Sequence, residues 1–121
     1  MPGEAIQVRR EGDVSIVSLT GEHDLSTALD LRHALETAAG GGDCLVVDLS
    51  RTEFIDSSIL GEIVAAWQGA GASSARFALI IGNGSGTSVR RVLELTDLGS
   101  ALPIHSDLAG ALAACADPAA S

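Results

Sequence analysis

The chain has 121 residues and a formal charge of −9, from seven Arg, no Lys and sixteen Asp or Glu. Its composition, 46% hydrophobic and 19% charged, is that of one folded domain, with an aliphatic core because aromatics are only 2%. The acidity speaks against a nucleic-acid phosphate backbone as partner, and the longest apolar runs fall far short of the roughly 18 residues of a membrane span.

From the N-terminus, Ile6 and Val8 alternate with polar residues, and Val14, Ile16, Val17 and Leu19 follow after Glu11-Gly12-Asp13. This is the pattern of two strands in a hairpin. Leu25, Ala28, Leu29, Leu35 and Ala39 recur at helical spacing, up to a turn at Gly40-Gly41-Gly42. Cys44-Leu45-Val46-Val47-Asp48-Leu49 reads as a strand covered on both faces. Ile59, Leu60, Ile63, Val64 and Trp67 form the next helical stripe, which predicts Trp67 in the core. Residues 77–81 read as another buried strand. Val89, Val92 and Leu93 mark a third helix ended by Gly99, residues 102–105 a short last strand, and Leu108, Ala109, Leu112 and Ala113 a closing helix.

The order β-β-α-β-α-β-α-β-α predicts an α/β fold: a single mixed, mostly parallel sheet with an N-terminal hairpin and about four helices. The domain is expected to span 1–121, with its core at about 5–115 and a frayed tail at 117–121. Cys44 and Cys115 lack metal-ligand spacing and are expected as two buried thiols in a reducing cytoplasm. The first residues show no basic-then-apolar secretory pattern, which points to the same compartment.

In an open α/β sheet, ligands and partners meet the loops at the carboxyl ends of the parallel strands. Three such loops are readable: Gly21-Glu22-His23-Asp24, residues 51–58, and Gly82-Asn83-Gly84-Ser85-Gly86-Thr87. Asp24, Asp56, Ser57, Ser58 and the glycine loop are expected to share one sheet edge. Asp56-Ser57-Ser58 stands immediately before a helical stripe, where Asp and Ser oxygens cap the free amides of the first turn. Asp24 holds the same place before the first helix.

These residues carry a resemblance to the STAS domains. Residues 14–25, an apolar strand followed by Gly21-Glu22-His23-Asp24, resemble the family's opening. Leu45-Val46-Val47-Asp48-Leu49, followed by Phe54-Ile55-Asp56-Ser57-Ser58, resembles its central signature. Residues 89–98, with Ile104 and the late Ala-Leu pattern, resemble its C-terminal part. Within the family the chain is similar to the small freestanding anti-sigma factor antagonists.

The resemblance implies a non-enzymatic partner-switching protein. Unphosphorylated, it would bind an anti-sigma factor that is also a serine kinase, and so free a sigma factor. The kinase would phosphorylate the second Ser of the signature and release it, and a phosphatase would reset it. Carried over, the phosphoacceptor is Ser58, and Asp24, Asp56 and Ser57 line the contact surface. Where the family usually has Gly after the second Ser, this chain has Ile59, which either narrows the docking surface or joins the core with Ile63. The phosphate would fall on a patch made negative by Asp56 and by Glu62, one turn on. No cofactor, metal, nucleic acid or membrane partner is expected, and the chain should be a monomer or weak dimer.

Other chemistries fit less well. A hydrolase built on Ser58, His23 and Asp24 or Asp56 lacks a Gly-x-Ser-x-Gly elbow, and His23 reads as a solvent-facing loop residue. His33 and His105 are isolated and read as structural or exposed. A magnesium-dependent receiver could group Asp24, Asp48 and Asp56, but no Lys is present to meet a phosphoryl group, and Asp48 reads as a hydrogen-bonded strand residue. The glycine loop has Thr87 where a dinucleotide fingerprint has its third glycine, and reads as a turn capped by Thr87 or Ser88, with weak nucleotide binding left open. The alternative within the same fold is a STAS subunit of a larger stressosome-like signalling or lipid-transport assembly.

Overall fold

The computed structural model describes residues 5–40, 43–72 and 75–116. The tail expected to fray lies outside them, as does most of the Gly40-Gly41-Gly42 turn. Strand β1 (Ile6–Glu11) and strand β2 (Val14–His23) pair antiparallel, with Glu11 opposite Val14. Gly12 makes the turn between them at φ +61°, a conformation that costs a glycine little.

Helix α1 (Leu25–Ala39), strand β3 (Cys44–Ile55), helix α2 (Ser57–Ala72), strand β4 (Arg76–Ile80), helix α3 (Thr87–Leu95), strand β5 (Ile104–His105) and helix α4 (Leu108–Ala116) follow. A short 3-10 turn, Leu98–Ser100, leads from α3 toward β5 and contains Gly99. The five strands lie in chain order, β1-β2-β3-β4-β5, and every pair after the hairpin is parallel. This is the mixed sheet with a hairpin edge that the sequence pattern predicts.

The period of two along each strand sorts the core into two layers. Val17, Leu19, Leu45, Val47, Leu49 and Leu79 face Ala28, Leu31 and Leu35 of α1, Ile59, Leu60 and Ile63 of α2, and Val89 and Leu93 of α3. On the other side, Ile16, Val46, Ala78 and Ile80 meet Ala111 and Cys115 of α4. Trp67 departs from expectation. It packs against the first layer but is only half-buried, because the stripe that buries Ile59, Ile63 and Ala70 leaves it on the helix flank.

Two strands outrun their apolar patterns. The run 44–49 predicts an end at Leu49, yet β3 continues through Ser50, Arg51, Thr52 and Glu53 to Ile55, and β2 continues with it to His23. Their parallel ladder carries Thr20 against Arg51, Glu22 against Phe54 and His23 against Ile55, with two register shifts. Gly21 takes φ +86° beside one shift. The buried Thr52 hydroxyl donates to the Leu19 carbonyl at 2.8 Å. Backbone pairing with a neighbour thus replaces side-chain hydrophobicity as the reason for strand there.

The cysteines are joined, not free. Cys44 opens β3, Cys115 closes α4, and their Cα atoms stand 5.9 Å apart in a disulfide. Local spacing gives no sign of a pair 71 residues apart; the packing of α4 on the sheet creates it. The Arg76 guanidinium also donates to the Cys115 carbonyl, tying α4 to β4. Among the described residues, no helix is long and apolar enough to cross a membrane.

Closing a ring of this size removes unfolded-chain entropy worth about 4 kcal/mol in the loop-closure treatment. Cys115→Ala should therefore unfold at clearly lower urea than the oxidised unsubstituted chain. In reductant, the difference should fall to the packing loss of one buried side chain. Urea melts of both proteins with and without reductant check this.

Candidate partner-binding site at the joined helix starts

Because β2 and β3 run side by side to His23 and Ile55, the next residues emerge side by side as well. A single residue separates each strand from its helix: Asp24 before α1 and Asp56 before α2. What reads as two loops in the sequence is a pair of strand-to-helix junctions.

The two junctions repeat one motif. Asp24 Oδ1 accepts the Ser26 amide at 2.9 Å and the Ser26 hydroxyl at 2.6 Å. Asp56 Oδ1 accepts the Ser58 amide at 3.0 Å, the Ser58 hydroxyl at 2.5 Å and the Ile59 amide at 3.1 Å. Both are N-caps satisfying amides that the first helical turn cannot. Asp56 does more: its Oδ2 accepts the Leu25 amide of α1 at 3.2 Å, so one carboxylate serves both helices.

These bonds favour the ionised form. The Ser58 hydroxyl first, then the Ile59, Leu25 and Ser58 amides, hold Asp56 below its ordinary value against an opposing effect of burial. Asp24 is lowered chiefly by the Ser26 hydroxyl and amide, while burial and the neighbouring Asp56 charge oppose the shift.

The expected site residues therefore meet at one corner, with one exception. Asp24 and Ser57 are exposed, and Asp56 and Ser58 are half-buried. Ile59 is not part of the surface. It is fully buried in the main core with Ile55 and Ile63, so its bulk stands inside the fold and not beside an approaching partner. A helix turns its third residue about 200° from its first, and here that side faces the sheet.

The electrostatics differ from expectation at Glu62. Arg32 of α1 holds it, with Nη2 donating to Oε2 at 2.8 Å and Nε donating to Oε1 at 3.1 Å and to Oε2 at 3.3 Å, and Arg32 is the main cause of its lowered pKa. Glu62 thus adds little free negative charge. Arg32 is the residue that sequence reading misses, because its partner lies 30 residues away and no helical spacing links them.

His23 is also corrected: it is buried, not solvent-facing. Its Nε2 lies 3.1 Å from the Thr20 carbonyl and its Nδ1 3.1 Å from the Thr27 hydroxyl, which pins the end of β2 to the first turn of α1. Asp48 stays within β3, where Oδ1 accepts the Ser50 amide at 2.9 Å. Among the described residues, no group of three His, Cys, Asp or Glu is placed to hold a metal.

The glycine loop is a brace for β3. The Gly86 amide donates to the Thr52 carbonyl at 2.8 Å, and the Ser85 hydroxyl to the Leu49 carbonyl at 2.7 Å. A Cβ on Gly84 or Gly86 would collide with the carbonyls of Ser50 and Glu53, so glycine is required by close approach. The expected side-chain cap on α3 is absent. Gly86 occupies the cap position, and the Ser88 hydroxyl reaches the Glu53 carbonyl at 2.9 Å instead.

The chain is similar to known proteins. Residues 6–112 match the family described as Mlab, STAS domain. The chain is 33% identical over 108 residues to the anti-sigma-F factor antagonist RsfB of Mycobacterium tuberculosis, covering 88% of this chain and 85% of that one. It is similar to the crystal structure of an anti-sigma factor antagonist from Mycobacterium paratuberculosis, with 33% identity, a TM-score of 0.82 and 93% of each chain covered. A STAS domain protein from Planctomyces limnophilus, 23% identical over 93% of this chain and 98% of its own, has the same fold at a TM-score of 0.80.

Two variants probe the corner. Asp56→Ala should cost about 2 kcal/mol, the upper end of a cap loss, because amides of two helices lose their acceptor. A carboxylate held below its ordinary value contributes stability above its unfolded pKa of about 3.9 and loses it as pH falls through the folded value. The stability gap between Asp56→Ala and the unsubstituted chain should therefore be full at neutral pH and narrow below about pH 4. Ile59→Gly should cost about 4 kcal/mol from a core cavity and a glycine in a helix. Urea melts across pH, and at neutral pH for Ile59→Gly, measure both.

Proposed function

The chain belongs to the STAS family, and on that footing we propose that it is an anti-sigma factor antagonist, a protein that acts by binding and performs no catalysis. It binds an anti-sigma factor and so frees a sigma factor. Phosphorylation of Ser58 by that partner's serine kinase activity ends the contact, and a phosphatase restores it. The likeness to RsfB and to the Mycobacterium paratuberculosis antagonist supports the first part. The second part rests on one observation: the Ser58 hydroxyl, at the corner where two helices start, donates to Asp56 Oδ1 at 2.5 Å.

That hydrogen bond makes Ser58 a sensitive place for a phosphate. Once esterified, the oxygen has no proton to donate. Roughly −1.5 to −2 charges then stand against a carboxylate held in its ionised form. The phosphate must turn outward, toward the surface occupied by the partner. The amides of Ser58 and Ile59 keep their bonds to Asp56, so the helix start survives. The change is one of surface charge next to Asp24 and Asp56, while Glu62 stays neutralised by Arg32. A close-packed partner is expelled without refolding of the domain. Asp24 and Ser57, exposed on either side, belong to the same contact.

The test starts with co-purification of the anti-sigma factor, followed by phosphorylation in vitro and phosphopeptide mapping of 54–67. Ser58→Ala should keep partner binding, lose the phosphate and lose about 1 kcal/mol of stability with its hydrogen bond. Ser58→Asp should bind about tenfold or more weakly, as a charge added at an interface does, and should lose at least the stability that Ser58→Ala loses, because its carboxylate cannot donate to Asp56. A phosphate on Ser57 would overturn the assignment of Ser58. Elution only within a stable assembly of other subunits would replace the free-switch reading with that of a scaffold subunit.

A further inference from the structure

Helix α4 covers only part of its face of the sheet. Ile16, Val46, Ala78 and Ile80 pack against it. Farther along the same face the side chains turn polar. Ser18 follows Ile16 at the strand period of two, Asp48 follows Val46 in the same way, and the two stand opposite each other in the ladder. Arg9 of β1 stands opposite Ile16 and so shares this face. Beyond Ser18 the register shifts, and Thr20 meets Arg51 where an unbroken ladder would give it Ser50. Bulges re-aim side chains and are over-represented beside functional sites. Here the extra residue brings Ser50 and Arg51 to one recess of about 230 Å³. Ser18, Asp48 and Ser50 are half-buried in it, and Arg9, Thr20 and Arg51 are exposed around it.

The recess holds hydrogen-bonding groups that the fold does not use. Among the described residues, the side chains of Ser18, Thr20, Ser50 and Arg51 make no hydrogen bond or ion pair. Asp48 uses one oxygen for the Ser50 amide. Most guanidiniums elsewhere are committed: Arg10, Arg76 and Arg90 donate to the carbonyls of Gly12, Cys115 and Gly82, and Arg32 to Glu62. Arg9 lies 3.8 Å from Glu11, and with both side chains about half-exposed that contact is worth little. Two available guanidiniums thus stand beside one carboxylate, on a chain whose net charge is −9. The half-buried groups sit on β2 and β3, which are interior strands, so their geometry is set before any ligand arrives.

We propose that this recess binds a small hydroxylated oxyanion, a phosphate ester or carboxylate of a short polyol. Arg9 and Arg51 take the anionic group, since the guanidinium fork matches the oxygens of phosphate and carboxylate. Asp48 selects for the hydroxyl. A bare anion sets like charge against its carboxylate, whereas a ligand O–H gives its free oxygen a donor. Ser18, Thr20 and Ser50 serve the remaining oxygens. The volume is that of about seven or eight waters, which fits an anionic group on about three or four carbons. The recess lies on the sheet face opposite the layer that takes in Ile55 and Ile59, and its assignment is independent of the proposed function.

The test is an amide NMR titration of the isotope-labelled chain at low salt with glycerol 3-phosphate, glycerate, inorganic phosphate or sulfate. Saturating shifts should gather at residues 18–20 and 48–51, with a Kd of about 1 mM or lower for one of the two hydroxylated probes. The tighter of those two identifies the anionic group. Arg9→Gln and Arg51→Gln should each weaken that binding about tenfold, as loss of a charge-assisted hydrogen bond does. Arg91→Gln, exposed on α3, should leave it unchanged. Asp48→Asn, which keeps an oxygen for the Ser50 amide, should narrow the preference for the hydroxylated probes over inorganic phosphate. Added salt should weaken binding throughout. Thr20→Val, expected to bind severalfold more weakly, replaces any arginine variant whose spectrum shows a lost fold. Absence of saturating shifts with every probe overturns the site, and so does binding that is undiminished in the arginine variants. An equal, weak response to sulfate, phosphate and the hydroxylated probes means an adventitious ion only and overturns the proposal.

Discussion

The carboxylate of Asp56 accepts four hydrogen bonds, three from the start of its own helix and one from the Leu25 amide of the neighbouring helix. Two helix starts carry unpaired amides and partial positive charge, and an anion between them satisfies both. Asp56 supplies it. The Ser58 hydroxyl and the Leu25 amide are both held by this one group. Its ionised form is held by the same bonds that it makes. Ser58, proposed as the phosphoacceptor, and the structural cap are thus one unit, and a charge added to Ser58 would act directly on the carboxylate that serves both helix starts.

Asp56 is in place because β2 and β3 run together to the last residue before each helix. Three devices extend that ladder beyond the apolar core. Gly21 absorbs a register shift, Thr52 satisfies a buried carbonyl, and the glycine loop after β4 lends its amides and a serine hydroxyl to the outer part of β3. Each gives hydrogen bonds to backbone that lacks hydrophobic cover, and an unpaired buried backbone group is costly. The result is a surface mounted on rigid strand ends. On the proposed reading, a partner that recognises such a surface spends little ordering it, and a phosphate on Ser58 would alter the contact without altering the fold.

The two faces of the sheet have different roles. The larger layer, under α1, α2 and α3, carries the corner and takes Ile59 into its interior. The smaller layer is closed by one helix, α4, and is held by the Cys44–Cys115 bond and by Arg76. With few aromatic side chains to fill space, one helix over three strands buries little apolar area. A covalent tie and a charged hydrogen bond add to that modest burial. The tie lies at the far end of β3 from Asp56, so the strand is anchored at both ends.

The sequence by itself determined the element order, the mixed sheet, the hairpin edge and the two capped helix starts with Asp24, Asp56 and Ser58. Those features come from periodicity and from hydrogen bonds between residues two or three apart, such as Asp56 to Ser58, which neighbours along the chain encode. Only the tertiary structure decided the rest. It carried β3 six residues past its apolar run, turned Ile59 and His23 inward, paired Arg32 with Glu62 and joined Cys44 to Cys115. For Arg32, Glu62 and the cysteines, the partners lie 30 to 71 residues apart. For β3, Ile59 and His23, the outcome depends on which face of a strand or helix meets the sheet. No local pattern specifies either, because the energy comes from groups that are neighbours only after the chain has folded.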